Sequence, residues 1–301
     1  MPLKFNDKLI AIDLPTYNVT VLPSSNGSVT ATPSSGVPGT IVTLSNTPDE
    51  GYVLDGYQLT GSSLIDSDKF MIKKSNVSVQ PSFRMNIPLD LDFLYHAKDF
   101  DGSKIPNKAI NPVFGDYLQA GTLTKNGTGS DCYLSNSDSV SNYLYVNLTQ
   151  AQVTAMKALS GTTYTWFFRV ENSSGTGAIM STRNNDDTNI VNQIRCSGDH
   201  LIVNRSTSQL LELSNFKTLS TNVFKVVNSD TYLYAKNLVT GDDATSTTSS
   251  SKYMGSVMKS FFAGARGECH LSKFFSFAGI PRDTTAEEDE VMKNCLLNQS
   301  I

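Results

Sequence analysis

The sequence predicts an all-β chain in two parts: a small β domain, then a two-sheet sandwich that closes with a short helix. Three observations predict this. The stretch Tyr164-Thr165-Trp166-Phe167-Phe168-Arg169-Val170 holds the only Trp of the chain. As an extended strand it sets Tyr164, Trp166, Phe168 and Val170 on one face and Thr165, Phe167 and Arg169 on the other. Each aromatic there can bury ~150–250 Å², so the strand belongs in the middle of a sandwich with Trp166 toward the core; a ligand-stacking Trp166 is the alternative. Charged residues are 17% of the 301 residues, below the usual share of about a quarter. Ser, Thr and Asn fill the deficit, and they suit turns and strand surfaces better than long helices. Short alternating apolar segments recur along the chain, separated by turn residues.

The chain opens with an arm, residues 1–16. Leu9-Ile10-Ala11-Ile12 is a short apolar run stopped by Asp13 and Pro15. It reads either as the first strand of the small β domain or as a peptide that docks on a partner by strand addition. The partner-docking residues on the second reading are Leu9, Ile10 and Ile12.

Residues 17–84 form a compact unit of short strands. Val19 and Val21 alternate with Thr20, and Asn26-Gly27 is a hairpin signal. Ser28–Thr32, Thr40–Leu44, Tyr52–Leu54, Phe70–Ile72 and Val77–Phe83 come next as strands, with Pro33–Gly39 as loop. The order Gly27-Ser28-Val29-Thr30, Pro33, Gly39 to Leu44, Thr47-Pro48-Asp49-Glu50-Gly51-Tyr52 and Asn76-Val77-Ser78-Val79 to Phe83 resembles the divergent internalin B-type, or Listeria–Bacteroides, β repeat. Tyr57 stands where that family often has Trp. The resemblance covers one copy of about 67 residues and implies a non-catalytic spacer of bacterial or phage surface proteins.

Residues 85–91 read as an extended linker, with Pro81 before it and Pro88 within it. The second domain, residues 92–301, continues with strands at Leu94-Tyr95, Tyr117–Ala120, Cys132–Leu134 and Tyr143–Leu148. A short helix over Leu148–Leu159 has Thr149 as its cap and Val153, Met156 and Leu159 at helical spacing. Further strands lie at Tyr164–Val170, Gly177–Met180, Asn189–Ile194, His200–Val203, Gln209–Leu213, Asn222–Val227 and Thr231–Lys236. Gly241–Lys252, rich in Ser, Thr and Asp, reads as an exposed loop. Phe261–Gly264 and Cys269–Phe277 are the last strands. Thr285 caps a final helix, Ala286–Leu297, whose first turn carries Glu287, Glu288 and Asp289, as the helix dipole favours. The aromatic strand, the later Phe262-Ala263-Gly264, the strand ending Phe277-Ala278-Gly279-Ile280-Pro281-Arg282 and the closing helix resemble a concanavalin A-like, laminin G-type jelly roll. The resemblance rests on pattern over about 200 residues and implies a lectin-like head.

Composition and motifs narrow the function. A net charge of −4 and the lack of a Lys/Arg run interleaved with aromatics argue against nucleic acid. No apolar stretch approaches the ~18–20 residues of a membrane span. The first residues lack the basic start and apolar run of a secretory leader. The expectation is a protein that works or is assembled where it is made, or one whose export signal is missing. Cys132, Cys196, Cys269 and Cys295 show no C-x-x-C pair, and His96, His200 and His270 are scattered, which leaves no zinc spacing. The cysteines read as buried free thiols, with a Cys269–Cys295 bridge as the alternative in an oxidising compartment.

A jelly roll can carry a glucanase, which needs two carboxylates facing one cleft ~5–5.5 Å apart for retention. No Glu-x-Asp-x-Glu strand exists, and Glu171, Glu212 and Glu268 lie in three separate segments. No Gly-x-Ser-x-Gly elbow occurs. The chain is therefore expected not to be an enzyme and to need no cofactor; calcium is the one metal its oxygen-rich loops would suit. Those loops are Asn184-Asn185-Asp186-Asp187 and Asp242-Asp243. The first, with Arg183, is also the expected carbohydrate site: Arg183, Asn184, Asp186 and Asp187.

Together these readings predict a structural virion protein of a bacteriophage, a head or tail fibre or decoration protein. Its lectin-like domain would bind host-surface or mucosal carbohydrate, its arm would hold other virion proteins, and it would be a homo-oligomer. The rival is a bacterial cell-surface adhesin or carbohydrate-binding module.

Overall fold

The computed structural model describes residues 4–5, 8–9, 14–88, 90–135, 142–147, 149, 151, 163–171, 176–183, 190–197, 200–205, 208–213, 221–229, 232–246, 259–262 and 273–300. The chain divides into two compact units, Met1–Asn86 and Ile87–Ile301. Both are built from strands, and the fold is all-β with one short C-terminal helix.

In the first unit, β1 (Lys4–Phe5) and β2 (Lys8–Leu9) pair antiparallel as a two-stranded sheet of their own, Lys4 opposite Leu9. Leu9 thus lies in a hairpin, while Ile10 and Ile12 fall outside the described residues. Eight further strands complete the unit: β3 (Tyr17–Val21), β4 (Gly27–Thr32), β5 (Ser35–Gly36), β6 (Ile41–Pro48), β7 (Tyr52–Thr60), β8 (Leu64–Asp66), β9 (Lys69–Met71) and β10 (Val77–Met85). They make two four-stranded sheets, β5-β3-β10-β7 and β4-β6-β9-β8. Val19, Val77 and Val79 from the first sheet and Val42, Leu44 and Phe70 from the second bury a common core. The alternation seen in the sequence sets this up, since every second residue of a strand shares a face.

Three expectations change in this unit. Asn26-Gly27 does not close a hairpin between its flanking strands. Asn26 has φ 69°, as the turn signal implies, but β3 and β4 belong to different sheets. The Leu22 N–H donates to Val79 O at 2.9 Å, and Pro23 has no N–H to continue a ladder, so the chain crosses the core instead. Within the expected Pro33–Gly39 loop, Ser35–Gly36 pairs with Tyr17 and Asn18. The last strand also runs one residue into the expected linker: Met85 pairs with Tyr52.

The second unit contains β11 (Phe93–His96), β12 (Lys104–Ile105), β13 (Tyr117–Ala120), β14 (Thr124–Asn126), β15 (Tyr133–Ser135), β16 (Tyr143–Asn147), β17 (Tyr164–Glu171) and β18 (Thr176–Arg183). Then come β19 (Ile190–Ser197), β20 (His200–Arg205), β21 (Ser208–Leu213), β22 (Phe224–Asn228), β23 (Leu233–Asn237), β24 (Asp243–Ser246), β25 (Lys259–Phe262), β26 (Lys273–Ile280) and α1 (Ala286–Asn298). The first sheet runs β14-β15-β26-β17-β22-β23-β24, with β11 also on β26; the second runs β12-β13-β16-β25-β18-β19-β20-β21. The strand Asp243–Ser246 corrects the expected loop: it pairs with β23, Leu233 opposite Ser246. Polar composition misled the reading there because an edge strand needs little apolar surface. The expected helix over 148–159 lies almost wholly outside the described residues.

Tyr164, Trp166, Phe168 and Val170 of β17 face the core between the sheets, with Tyr117, Leu144, Ile194, Val203 and Leu211 of the second sheet in the same cluster. The Trp166 ring stacks on Phe277 at 5.8 Å and lies 4.6 Å from Tyr164. Trp166 is therefore core, as its strand position implied, and not a stacking platform. Strand β26 reaches this core through a bulge. Arg169 pairs with Ser276 but Val170 with Phe274, which leaves Phe275 extra. Phe274 and Phe277, three residues apart, both face inward; the extra residue resets the period of two.

Candidate ligand-binding face

The outer side of the first sheet is closed by α1, which lies against β17 and β26. Thr285 accepts from the Glu288 N–H at 3.2 Å while Glu288 accepts from the Thr285 N–H at 2.9 Å, a complete capping box. Glu288 also pairs with Arg282, and chiefly for that reason its carboxyl is held down at about 2. Met292, Cys295 and Leu296 are buried beneath the helix. The polar residues on this side of β17 and its neighbours are engaged. Arg169 Nη1 donates to the carbonyls of Ser130 and Leu297, both at 2.7 Å, and its guanidinium lies 4.3 Å over Phe275. Lys225 Nζ, 5% exposed at its side chain, sits 2.9 Å from Asp283 and 3.0 Å from Asp289.

A His–Cys–Ser group lies in the same layer. His96 Nδ1 is 3.0 Å from Ser276 Oγ, and Cys295 Sγ is 3.9 Å from His96 Nε2. Burial, helped by Lys98 and Lys108, pushes His96 down to about 3, and burial pushes the Cys295 thiol up to about 12. Both groups are neutral at pH 7. A nucleophilic cysteine needs the thiolate, so this arrangement packs and does not attack. Cys295 is a free thiol, as is Cys132, and its Sγ donates to Ser300 O at 2.8 Å; Cys269, the partner in the alternative bridge, lies outside the described residues.

Among the described residues the glutamates of the sandwich strands do not converge either. Glu171 of β17 pairs with Lys273 at 2.8 Å. Glu212 belongs to β21, in the other sheet. Glu268 lies outside the described residues.

The outer side of the second sheet is different in character. Ile105, Tyr117, Leu144, Val146, Ile194, Leu201, Val203 and Leu211 point into the core, so their strand neighbours point outward. At one end these are Lys104, Leu118, Tyr143 and Tyr145. The two Tyr rings are 5.9 Å apart at 60° and half-buried. Leu118 stands opposite Tyr145. At the other end Arg195, Ile202 and Glu212 share one register row across β19, β20 and β21, and His200 lies two residues from Ile202. His200 Nδ1 approaches Glu212 Oε1 at 2.7 Å without hydrogen-bond alignment. The Arg195 Nε is buried with no hydrogen-bond partner. The Ile202 side chain on this side is only 5% exposed, so the Arg195 end is enclosed. The Tyr143–Tyr145 pair and Arg195 stand three strands apart, ~14 Å by strand spacing; half-buried aromatic rings such as the first can take a polar, ring-shaped ligand by stacking.

Of the residues expected as a site, Arg183 ends β18 in this same sheet, paired with Ile190 and Lys259. Asn184, Asp186 and Asp187 come directly after it, outside the described residues. The expected calcium loop at Asp242-Asp243 is engaged internally: the Thr240 hydroxyl donates to Asp242 at 2.6 Å and the Tyr234 hydroxyl to Asp243 at 3.1 Å. Among the described residues no group of three His, Cys, Asp or Glu converges as a metal site. Sequence reading missed Arg195, His200 and Glu212. The alternation in β19–β21 already turns them away from Ile194, Leu201 and Leu211; their nearness to one another needs the strand register.

Comparison with known proteins agrees with the architecture. No curated protein matches the chain by sequence. Among solved structures, the binding domain of botulinum neurotoxin DC in complex with rat synaptotagmin II superposes with a TM-score of 0.50 at 8% identity, over 69% of this chain and 52% of that one. A receptor-binding domain superposes at 0.50 and 10% identity, over 69% and 51%. Trypanosoma rangeli sialidase with the inhibitor DANA gives 0.47 and 10%, over 67% and 32%. The chain thus spans a third to a half of these structures, and at such identities the likeness to the two binding domains is one of fold. Residues 17–87 match the divergent InlB B-repeat domain, the β repeat that their sequence pattern resembles.

Proposed function

We propose that the chain is a non-catalytic binding protein in which a repeat unit carries a lectin-like sandwich, and that the sandwich takes carbohydrate on its second sheet. The observation that carries this reading is the contrast between the two outer sides. One is covered by α1 and an engaged polar layer; the other presents half-buried Tyr143 and Tyr145 and the His200–Glu212 pair. Arg183 ends β18 of that sheet, and it belongs to the proposed site together with Asn184, Asp186 and Asp187. A likeness in fold to a receptor-binding domain supports the reading without fixing the ligand. The test is binding of the full chain to a glycan array. Selective binding that is lost in a Tyr143→Ala, Tyr145→Ala double variant of unchanged melting temperature is the expected result. A folded chain that binds no glycan refutes it.

The setting we propose is the surface of a bacteriophage particle, where the match of residues 17–87 to a surface-protein repeat fits a spacer. The arm would be the anchor, through Leu9, Ile10 and Ile12. Short apolar segments gain ~25 cal/mol per Å² on docking, and the β1–β2 hairpin offers strand edges to a partner sheet. Mass spectrometry of purified particles should detect the whole chain, and deletion of residues 1–13 should abolish its incorporation; incorporation of the truncated chain refutes the anchoring role.

A further inference from the structure

We propose that the ion pair Lys104–Asp116 reads the hydroxyls of a neutral saccharide whose ring rests on Leu118 and Tyr145, so that the protein prefers uncharged glycans to acidic ones. The proposal rests on the reading that the second sheet binds carbohydrate, and it names the ligand class and the residues that orient it. Lys104, Leu118 and Tyr145 stand in one register row across β12, β13 and β16. Ile105, Tyr117 and Leu144, one residue away on each strand, face the core, so the row lies on the outer side. Asp116 precedes core residue Tyr117 and shares that side with Leu118. This end of the face is open: the side chains of Lys104 and Asp116 are 44% and 34% exposed, and Leu118 and Tyr145 are half-buried. The Lys104 backbone is ~9–10 Å from that of Tyr145 by strand spacing, with Leu118 as an apolar floor between them.

The pair is matched in charge. Lys104 Nζ donates to Asp116 Oδ2 at 2.6 Å, and that bond holds the Asp116 carboxyl below its ordinary value and the Lys104 ammonium above it. Asp101 is engaged separately, its Oδ1 accepting from the Ser103 and Lys104 N–H groups at 2.9 and 3.0 Å. An ionic ligand must compete with an opposite charge that is already in place. A sugar need not. An ammonium has three donors and a carboxylate about four acceptor sites. Lys104 spends one donor on Asp116, and Asp116 accepts from Lys104 and from the Asn107 N–H at 3.2 Å. One sugar hydroxyl can accept from Lys104 while its neighbour donates to Asp116, and the pair stays closed. Hydrogen bonds to charged groups are the stronger kind, and a few placed polar groups beside apolar surface fix the orientation of a small ligand.

The test uses the full chain and two matched pairs of probes: lactose against sialyllactose, and methyl-esterified polygalacturonate against polygalacturonate. The neutral member of at least one pair should bind about tenfold more tightly, because an acid group gives up water for a pair with no net charge. Asp116→Asn should weaken that binding about tenfold at unchanged melting temperature, the cost of one charge-assisted hydrogen bond. Lys104→Gln should do the same, and Lys104→Arg, which keeps the charge and the donors, should retain binding; these two decide if the Asn form does not fold. Equal or tighter binding of the acidic members overturns the proposal and leaves the carbohydrate reading standing. So does a neutral ligand that the Asn and Gln variants hold as tightly as the unaltered protein. If only other glycans bind, acidic ones overturn the proposal, and neutral ones lost in the variants uphold it. No binding to either pair or to any other glycan removes both.

Discussion

Asp92 offers the most direct test of the packing around Trp166. The residue is 5% exposed, and its carboxyl accepts a 2.8 Å hydrogen bond from the Tyr164 hydroxyl. Burial raises its pKa from 3.8 to about 6; the Tyr164 bond opposes the rise, and the charge of Asp90 adds to it. The folded chain therefore holds this proton more tightly than the unfolded one. The stability the proton provides is fully present below about 4, falls as pH rises through about 6, and is absent at neutral pH. The difference between 3.8 and about 6 corresponds to about 3 kcal/mol at 1.36 kcal/mol per pH unit. Asp92→Asn keeps an oxygen for the Tyr164 hydroxyl and cannot ionise. Relative to the unaltered protein it should gain little at pH 4 and about 3 kcal/mol by pH 7. The comparison of the two proteins cancels the opposite trend of carboxylates such as Glu288, whose lowered pKa costs stability in acid. Urea unfolding followed by fluorescence is well suited, because the only Trp of the chain, Trp166, lies in the second unit and reports on it alone. A difference that stays constant between pH 4 and pH 7, or one that turns against the variant as pH rises, refutes the burial argument.

Two further perturbations probe the same unit. Trp166→Ala removes a 4% exposed ring stacked on Phe277 and packed beside Tyr164, and should cost about 3–5 kcal/mol in chemical denaturation; a variant that unfolds at the unaltered denaturant midpoint but fails to bind glycan would make the ring a ligand platform. Thr285→Ala breaks the capping box of α1 and should cost about 1 kcal/mol, read as faster hydrogen exchange of the first-turn amides of the helix; unchanged exchange would show that packing alone holds the helix start.

What the sequence by itself determined is what depends on near neighbours. The alternation in Tyr164–Val170 is a local property of the strand, and it turned Trp166 inward in the structure. The Thr285 cap and the acidic first turn act within four residues, so the helix starts where expected, at Ala286. The order of residues 17–83 carried the β repeat, which the family match bears out over residues 17–87. What only the tertiary structure decided is what depends on partners far along the chain. The parallel pairing of Val77 with Val19 and the crossing at Pro23 arise from closing a core between two sheets. The bulge at Phe275 exists because β26 must match β17, and it moves Phe274 to the face that simple alternation denies it. Arg169 and Lys225 are buried with partners far along the chain, among them Leu297 O and Asp289 of α1. Arg195, His200 and Glu212 lie on three successive strands, and a group of that kind is assembled by register, since each strand dictates which way its side chains point but not what stands beside them.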